Sequence, residues 1–406
     1  VSGLVIIGAS YAGVQAGISA REKGYQAPIR IVADEIHLPY QRPPLSKAFL
    51  SGDVAHNSLF LRGEDYFKTQ GIELVLGHRA IGLDRAAGRI ALDGGDSLPF
   101  DQLVIATGSR ARRLSVPGHE RDGIVYLRTL DDALHLKPRL EAANDVVIVG
   151  GGFIGLEVAS TAAKAGKKVT LIEAQSRLLE RAVSPLISQF LLDSHRSHGL
   201  DIRFNESVIA IEGNSAVHEV VCSSGLRVRA DLIVAGIGGI ANDELAAQAD
   251  ITCTNGIDVD EHGLTSVPNI YAAGDVSNHH NGFAGRRVRL EAVQNATDQG
   301  KAVGAMIAGR PEAYDAVPRF WSDQYDAKLQ IVGLSAPTDS AVIRGSMDDG
   351  KFSVFYYRDG KLTAVDSINR PGDQMIARRL ITASLSPTPE QAADPSFDLK
   401  KFEAGK

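Results

Sequence analysis

Four consecutive apolar residues, Val146 to Val149, run into Gly150-x-Gly152-x-x-Gly155, a pattern that reads as a buried strand turned by glycines into a helix. A second apolar stretch, Lys168 to Glu173, ends in a carboxylate 23 residues after Gly150 (173 minus 150). The start of the chain repeats the succession. Leu4 to Ile7 leads into Gly8-x-Ser10-x-x-Gly13, and Ile29 to Asp34 supplies a strand ending in an acid 26 residues after Gly8 (34 minus 8). The two first glycines lie 142 residues apart (150 minus 8), too far for a solenoid period and right for two successive domains.

Such a turn leaves the first N–H groups of the helix available at the positive end of its dipole, where they hold a pyrophosphate. The acid that ends the next strand hydrogen-bonds an adenosine ribose diol. Two dinucleotide sites are therefore expected, one on Gly8, Ser10, Ala12, Gly13 and Asp34, the other on Gly150, Gly152, Ile154, Gly155 and Glu173. Ser10 takes the place of the middle glycine and adds a hydroxymethyl group beside the phosphates. A rival reading makes Ser10 a hydrolase serine on a strand-to-helix elbow, but that elbow follows several earlier strands of its sheet and this one sits on the first.

The remaining pattern fills in around these two units. A short helix is expected over Glu64 to Gln70, then alternating strands near Glu73 to Val75, Arg79 to Leu83 and Ile90 to Leu92, and a buried strand from Gln102 to the turn at Gly108. Pro39, Pro43 and Pro44 fix an irregular loop, with Pro44 in the first turn of a short helix carrying Ser46 and Lys47. Thr129 is expected to cap a helix before Asp131 and Asp132. A helix from about Pro185 to His198 carries His195 and His198 three residues apart. With no third ligand nearby they read as surface residues rather than a zinc site. Strands near Ser207 to Ile211, Val217 to Cys222 and Ala230 to Ala235 lead to Gly236 and Gly238. Asn269 to Asp275 is another strand, and a long helix is expected to start at Arg289. From Tyr314 the character changes. Phe320 to Asp326 precedes strands at Leu329 to Val332, Ala341 to Ile343, Phe352 to Tyr357 and Leu362 to Ser367, then a helix near Asp373 to Ala383, which together make an α+β domain.

Composition narrows the class. A chain of 406 residues that is 44 % hydrophobic and 23 % charged is long enough for two or three domains with their own cores and is neither fibrous nor disordered. No apolar run approaches the roughly 18 residues that a membrane span requires, and Leu4 already opens the first strand, so neither an anchor nor a signal peptide is expected and the cytoplasm is the expected compartment. The two cysteines, Cys222 and Cys253, read as small apolar residues rather than as a disulfide or metal framework. A net charge of −6 argues against a nucleic-acid partner.

The stretch Pro39-Tyr-Gln-Arg-Pro-Pro-Leu-Ser-Lys47 resembles the flavin-binding segment of the bacterial FAD-dependent ferredoxin reductases of the putidaredoxin reductase type, which feed ring-hydroxylating and haem monooxygenase systems. Ala106-Thr107-Gly108 resembles the short motif that returns the chain to the flavin domain in flavoproteins with two dinucleotide folds. Gly236 to Gly239 is its counterpart in the second domain, and Gly274-Asp275 resembles the segment whose aspartate hydrogen-bonds the ribityl chain. The resemblance covers essentially the whole chain. It implies an α/β fold of the glutathione-reductase type with two Rossmann-like domains and a C-terminal α+β domain. The flavin domain would comprise residues 1–113 and 240–313, the NAD domain 114–239, and the last domain 314–406. It also implies that Arg42, Pro43, Lys47, Ala80, Arg128, Glu291, Val293 and Trp321 lie on FAD, with Lys47 approaching the flavin, and that Glu157 is a nicotinamide-side carboxylate.

The function so implied is passage of electrons from NADH through FAD to an acidic [2Fe-2S] ferredoxin, docked by way of Arg62 and Lys301, by a monomer or homodimer. Hydride transfer needs the two rings stacked within about 3–3.5 Å and no obligatory acid or base, which accords with the absence of any Ser/His/Asp or paired-carboxylate constellation. Two other readings stay open: an NADH oxidase or peroxidase of the same fold, and a non-enzymatic flavin-binding sensor. The first is disfavoured because no cysteine precedes Cys222.

Overall fold

Leu4–Ile7 is buried along its whole length because parallel neighbours flank it on both sides: Leu4 pairs with Ile29 on one edge and Gln102 on the other. The computed structural model, which describes residues 2–405, extends this ladder to five parallel strands in the order Ile270–Ala272, Gln102–Ile105, Leu4–Ile7, Ile29–Ala33 and Ile72–Leu76. A parallel sheet needs cover on both faces. The helix Tyr11–Glu22 provides it on one side and crosses the helix Val293–Ile307 at very short range. A Cβ on Gly300 would lie 2.5 Å from the Ala12 carbonyl oxygen, and one on Gly304 would lie 2.4 Å from that of Ala16, so only glycine permits the crossing. These elements form one compact unit of the chain, made of the residues up to Gln41, Leu59–Arg110 and Ile240–Phe320.

The second unit comprises Arg42–Ser58, Ala111–Gly239 and the residues from Trp321 onward. Its parallel sheet runs Asp201–Arg203, Lys168–Ile172, Asp145–Val149, Leu232–Ala235 and Ile124–Val125, with Asp145 in register with Lys168. The C-terminal part adds a second five-stranded sheet, ordered Arg319–Gln324, Ala327–Gly333, Lys361–Ile368, Lys351–Arg358 and Ser340–Ser346. Ile376, Ala377, Leu380 and Ile381 form the buried stripe of the helix Pro371–Thr382 that packs on this sheet. Tyr356 of this sheet places its Oη 2.7 Å from Ser184 Oγ, at the N-cap of the helix Pro185–Ser197.

Two elements and one residue differ from the sequence expectation, each for a local reason. The long helix begins at Val293, not Arg289, because Ala292 is extended (φ −148°, ψ 138°) and Asn295 donates from Nδ2 to the Leu290 carbonyl, tying the irregular stretch before the helix to its first turn. Phe320 to Asp326 is not a lead-in, because Arg319–Gln324 is itself a strand. Its inward-facing residues are Ser322 and Gln324 while Trp321 faces out, so the usual apolar-in alternation is inverted and carries no strand signal. His195 is not a surface residue. It is fully buried and continues the stripe of Ile187, Ser188, Leu191 and Leu192 on its helix, whereas His198 just beyond is exposed. Thr129 does cap its helix, accepting from the Asp132 N–H in a capping box. Among the described residues, no helix is long and apolar enough to cross a membrane, and no group of His, Cys, Asp and Glu is placed to hold a metal ion.

Candidate functional site

Both glycine turns have the same construction. Gly8 (φ +113°) and Gly150 (φ +105°) end their strands in the left-handed region, and a Cβ there would lie 2.2 Å from the Ala106 carbonyl oxygen and 2.5 Å from that of Gly236. Ser10 and Gly152 stand at the N-caps of the helices Tyr11–Glu22 and Phe153–Lys164. Neither helix has a side-chain cap or an acid in its first turn. The helix Leu130–Ala142 shows the contrast, with Thr129 capping it and Asp131 and Asp132 in its first turn. Helix N-termini with neither a side-chain cap nor an acid, at the positive end of a dipole, fit a pyrophosphate in both places, and at the second a Cβ on Gly152 would have no neighbour nearer than 3.9 Å.

The acids at the strand ends differ. Glu173 is held: its Oε2 accepts from the Gly151 N–H at 2.5 Å and its Oε1 from the Gln175 N–H at 2.7 Å, which orients the carboxylate beside the glycine turn. Arg177, the cation nearest in sequence, donates instead to the carbonyls of Val183 (2.8 Å) and Glu180 (2.7 Å). Asp34 lies exposed just past the end of the strand Ile29–Ala33, and the next acid, Glu35, receives the Tyr40 hydroxyl.

Glu157, in the second turn of its helix, is the centre of a buried polar cluster. It is 3 % exposed, and its Oε2 accepts from Lys47 Nζ at 2.6 Å and Ser46 Oγ at 2.5 Å while Oε1 accepts from Ser322 Oγ at 2.6 Å. Pro43 starts the 3-10 turn Pro43–Ser46 that delivers Ser46 and Lys47, and Thr161, one turn further along the Glu157 helix, ties that turn down by donating to the Ser46 carbonyl at 3.1 Å. Arg42 donates to the Arg128 carbonyl at 2.7 Å, which joins the start of this segment to the capped turn at Thr129. Sequence reasoning named Lys47 and Glu157 without a contact between them. It missed the roles of Ser46, Ser322 and Gln324, whose polar identities gave no pattern, and of His195, which sits on the apolar stripe of its helix.

In the first unit a second buried network supports the Gly274–Asp275 turn. Gln299 Oε1 accepts from the Gly274 N–H at 2.8 Å and from Ser277 Oγ at 2.7 Å, and Gln299 Nε2 lies 3.0 Å from His279 Nδ1. Tyr314 donates to Asn295 Oδ1 at 3.0 Å and meets the His279 ring edge-on. Burial drives His279 down to about 4, so its ring is neutral. The Asp275 carbonyl accepts from Arg289, which also pairs with Glu291 at 2.6 Å; Glu291 therefore lies in the segment before the helix, and Val293 is the first helical residue. Thr107 and Asn242 exchange hydrogen bonds beside the turn at Ala106 and Gly108, and Ala80 packs at the edge of the core formed by the same sheet. In the second unit, Gly236 and Gly238 follow the strand Leu232–Ala235, Ile154 is 42 % exposed at the glycine turn, and Trp321 is likewise 42 % exposed. Cys222 is fully buried and burial pushes the Cys253 thiol up to about 11, so neither is an available nucleophile.

Residues 2–300 match the family of pyridine nucleotide-disulphide oxidoreductases, and residues 319–403 match the reductase C-terminal family. The chain is 42 % identical to rhodocoxin reductase of Rhodococcus erythropolis over 98 % of its own length and 93 % of the relative's. Among solved structures it resembles the ferredoxin reductase for the CYP199A2 system from Rhodopseudomonas palustris (TM-score 0.97, 43 % identity, 99 % of this chain and 100 % of that one). It also resembles the reductase in the covalent putidaredoxin reductase–putidaredoxin complex (TM-score 0.96, 40 % identity, 100 % and 98 %). With two matching glycine turns, a held Glu173 and these likenesses along its length, the chain belongs to the pyridine nucleotide-disulphide oxidoreductase family.

Proposed function

We propose that this chain is an NADH-dependent ferredoxin reductase that passes electrons through FAD to a small [2Fe-2S] ferredoxin serving an oxygenase, and that it works in the cytoplasm. The observation that carries this reading is the combination of two uncapped glycine turns with a Lys47 that pairs with the buried Glu157 and occupies, with Ser46, the segment where a disulfide reductase needs its two cysteines. The names of the relatives support it, since they are ferredoxin, rhodocoxin and putidaredoxin reductases. Bound FAD supplies the chemistry no side chain here has, accepting a hydride from NADH and giving electrons up one at a time. The chain's residues bind and orient. Gly8 to Gly13 and Asp34 take the FAD pyrophosphate and ribose, Asp275 the ribityl chain, and Gly150 to Gly155 with Glu173 the NADH. Ala80, Thr107 and Val293 are the further flavin contacts this reading assigns to the first unit, and the family resemblance assigns the same role to Arg42, Pro43, Lys47, Arg128 and Trp321. Anaerobic mixing with NADH should bleach the flavin band, and added ferredoxin should then be reduced over many turnovers. A flavin that bleaches but does not pass its electrons on would favour the sensor reading.

NADH should be preferred over NADPH. A 2′-phosphate would face the Glu173 carboxylate, and Arg177 is committed to two backbone carbonyls. Glu173→Ala should cost about ten- to hundredfold in kcat/KM for NADH, the worth of a charge-assisted hydrogen bond, and narrow the gap to NADPH. Equal kcat/KM for the two nucleotides in the wild type refutes the assignment.

The ferredoxin of such a system is expected to be acidic, so a chain of net charge −6 would dock it through local positive charge. Arg62 is exposed, with its guanidinium 5.4 Å from the Tyr66 ring centre, and Lys301 is 54 % exposed with Asp298 no closer than 3.7 Å. Both offer charge to a partner, and Trp321 offers apolar packing. Reversing Arg62 and Lys301 to Glu should raise the KM for ferredoxin about tenfold and flatten its salt dependence, with flavin reduction by NADH unchanged. Unaltered salt sensitivity in the double variant places the docking face elsewhere.

A further inference from the structure

The polar contacts around Glu157 do not end at Ser322. Ser322 Oγ, which donates to Glu157 Oε1, accepts from Gln324 Nε2 at 3.0 Å, and Gln324 Oε1 lies 2.9 Å from His195 Nε2. The three added residues are as deeply buried as Glu157: Ser322 0 %, Gln324 1 % and His195 0 % exposed. The directions of these hydrogen bonds follow by elimination. An ionised carboxylate only accepts, so Ser322 gives its hydrogen to Glu157 and must accept from the Gln324 amide. That turns the Gln324 carbonyl oxygen toward His195, whose Nε2 must then carry a hydrogen. A neutral ring with its hydrogen on Nε2 leaves Nδ1 bare, and Nδ1 is the His195 atom that has no hydrogen-bond partner. Burial, which drives His195 down to about 4, agrees with the neutral ring.

The chain of contacts ends on a particular oxygen. Lys47 and Ser46 both bond Glu157 Oε2, while Ser322 is the hydroxyl on Oε1, so Ser322 sets the rotation of the carboxylate and thereby the direction in which Lys47 is held. We propose that His195 is a positioning residue for the redox site, anchoring Gln324 and Ser322 so that Glu157 holds the Lys47 ammonium in one orientation. The inference rests on the ferredoxin reductase reading and deepens it. Ser322 and Gln324 come from the region that matches the reductase C-terminal family, which therefore contributes to the Lys47–Glu157 pair as well as to the fold.

His195→Leu removes the N–H, and His195→Gln returns an amide N–H at about the reach of Nε2. In full-length His195→Leu protein, anaerobic flavin reduction by NADH should slow about tenfold with an unchanged KM for NADH, as a loosened but intact group predicts. The flavin midpoint potential should shift, and Lys47 should be acylated faster by acetic anhydride, read by mass spectrometry of the protein as purified. His195→Gln should return all three toward wild type. Ser322→Ala should reproduce the loss, and the His195→Leu/Ser322→Ala double variant should be no worse than Ser322→Ala, because both break one chain. If His195→Leu fails to fold, Ser322→Ala and His195→Gln decide the matter. A destabilised His195→Leu protein with unchanged potential, rate and Lys47 labelling overturns the proposal, as does a silent Ser322→Ala. Wild-type protein whose flavin NADH cannot reduce sinks the functional reading instead, and Lys47 labelling, which needs no electron transfer, still judges the positioning claim.

Discussion

Glu157→Leu is expected to lower stability by about 3 kcal/mol, because it leaves the Lys47 ammonium without a counter-charge in a site that is mostly closed to water. Ser46 and Ser322 also lose their acceptor, and each stranded hydroxyl adds to the cost. The penalty belongs to the unpaired charge more than to the lost attraction. A buried ion pair replaced as a whole by apolar groups of similar size is often neutral, since both desolvation costs vanish with it. Adding Lys47→Met to Glu157→Leu should therefore recover about half of the lost stability while restoring no flavin reduction. Urea denaturation of the two variants beside the wild type decides the point. A double variant no more stable than Glu157→Leu would show that the site is held by packing rather than by charge compensation.

The Glu157 cluster also marks where sequence reading stops. The glycine turns were legible because their constraints are local: a left-handed first glycine, an uncapped helix start and an acid at the next strand end all fall within about 30 residues of one another. Gly8 and Gly150 could be paired by pattern alone, and the structure gives them the same backbone and the same close approach to a carbonyl. Lys47 and Glu157 are 110 positions apart (157 minus 47), and no periodicity records that they meet. Ser322 and Gln324 were hidden for a different reason. Alternation reveals a strand when its buried face is apolar, and the buried face of Arg319–Gln324 carries a hydroxyl and an amide because it faces another polar group. His195 reads as a surface residue when only the lack of a third metal ligand nearby is weighed. The stripe Ile187, Leu191, His195, at spacings of four, did point it into the core.

The stability of the protein should depend on pH through three buried groups that pull in opposite directions. His195 and His279 hold values near 4 when folded and about 6.5 when unfolded, so the unfolded chain binds the extra protons. Their stabilising contribution is complete above pH 6.5 and is lost as pH falls toward 4, about 3 kcal/mol for each. Asp366 is the reverse. It is 1 % exposed, burial raises it to about 7 against an unfolded value near 3.9, and the folded chain binds the extra proton. Its contribution is complete below about pH 4 and is lost as pH rises through 7. The geometry accommodates the proton. Tyr356 Oη lies 2.7 Å from both Asp366 Oδ2 and Ser184 Oγ, so a protonated Asp366 donates to Tyr356, which donates in turn to Ser184. Asp366→Asn keeps a donor in that position and cannot ionise. Relative to wild type it should gain about 3–4 kcal/mol between pH 4 and pH 8, while His279→Gln should flatten the loss on the acid side. Thermal unfolding of wild type and both variants across this range tests the assignment. A stability difference between Asp366→Asn and wild type that stays constant with pH means that Asp366 titrates alike in both states, and the opposition of the three groups fails.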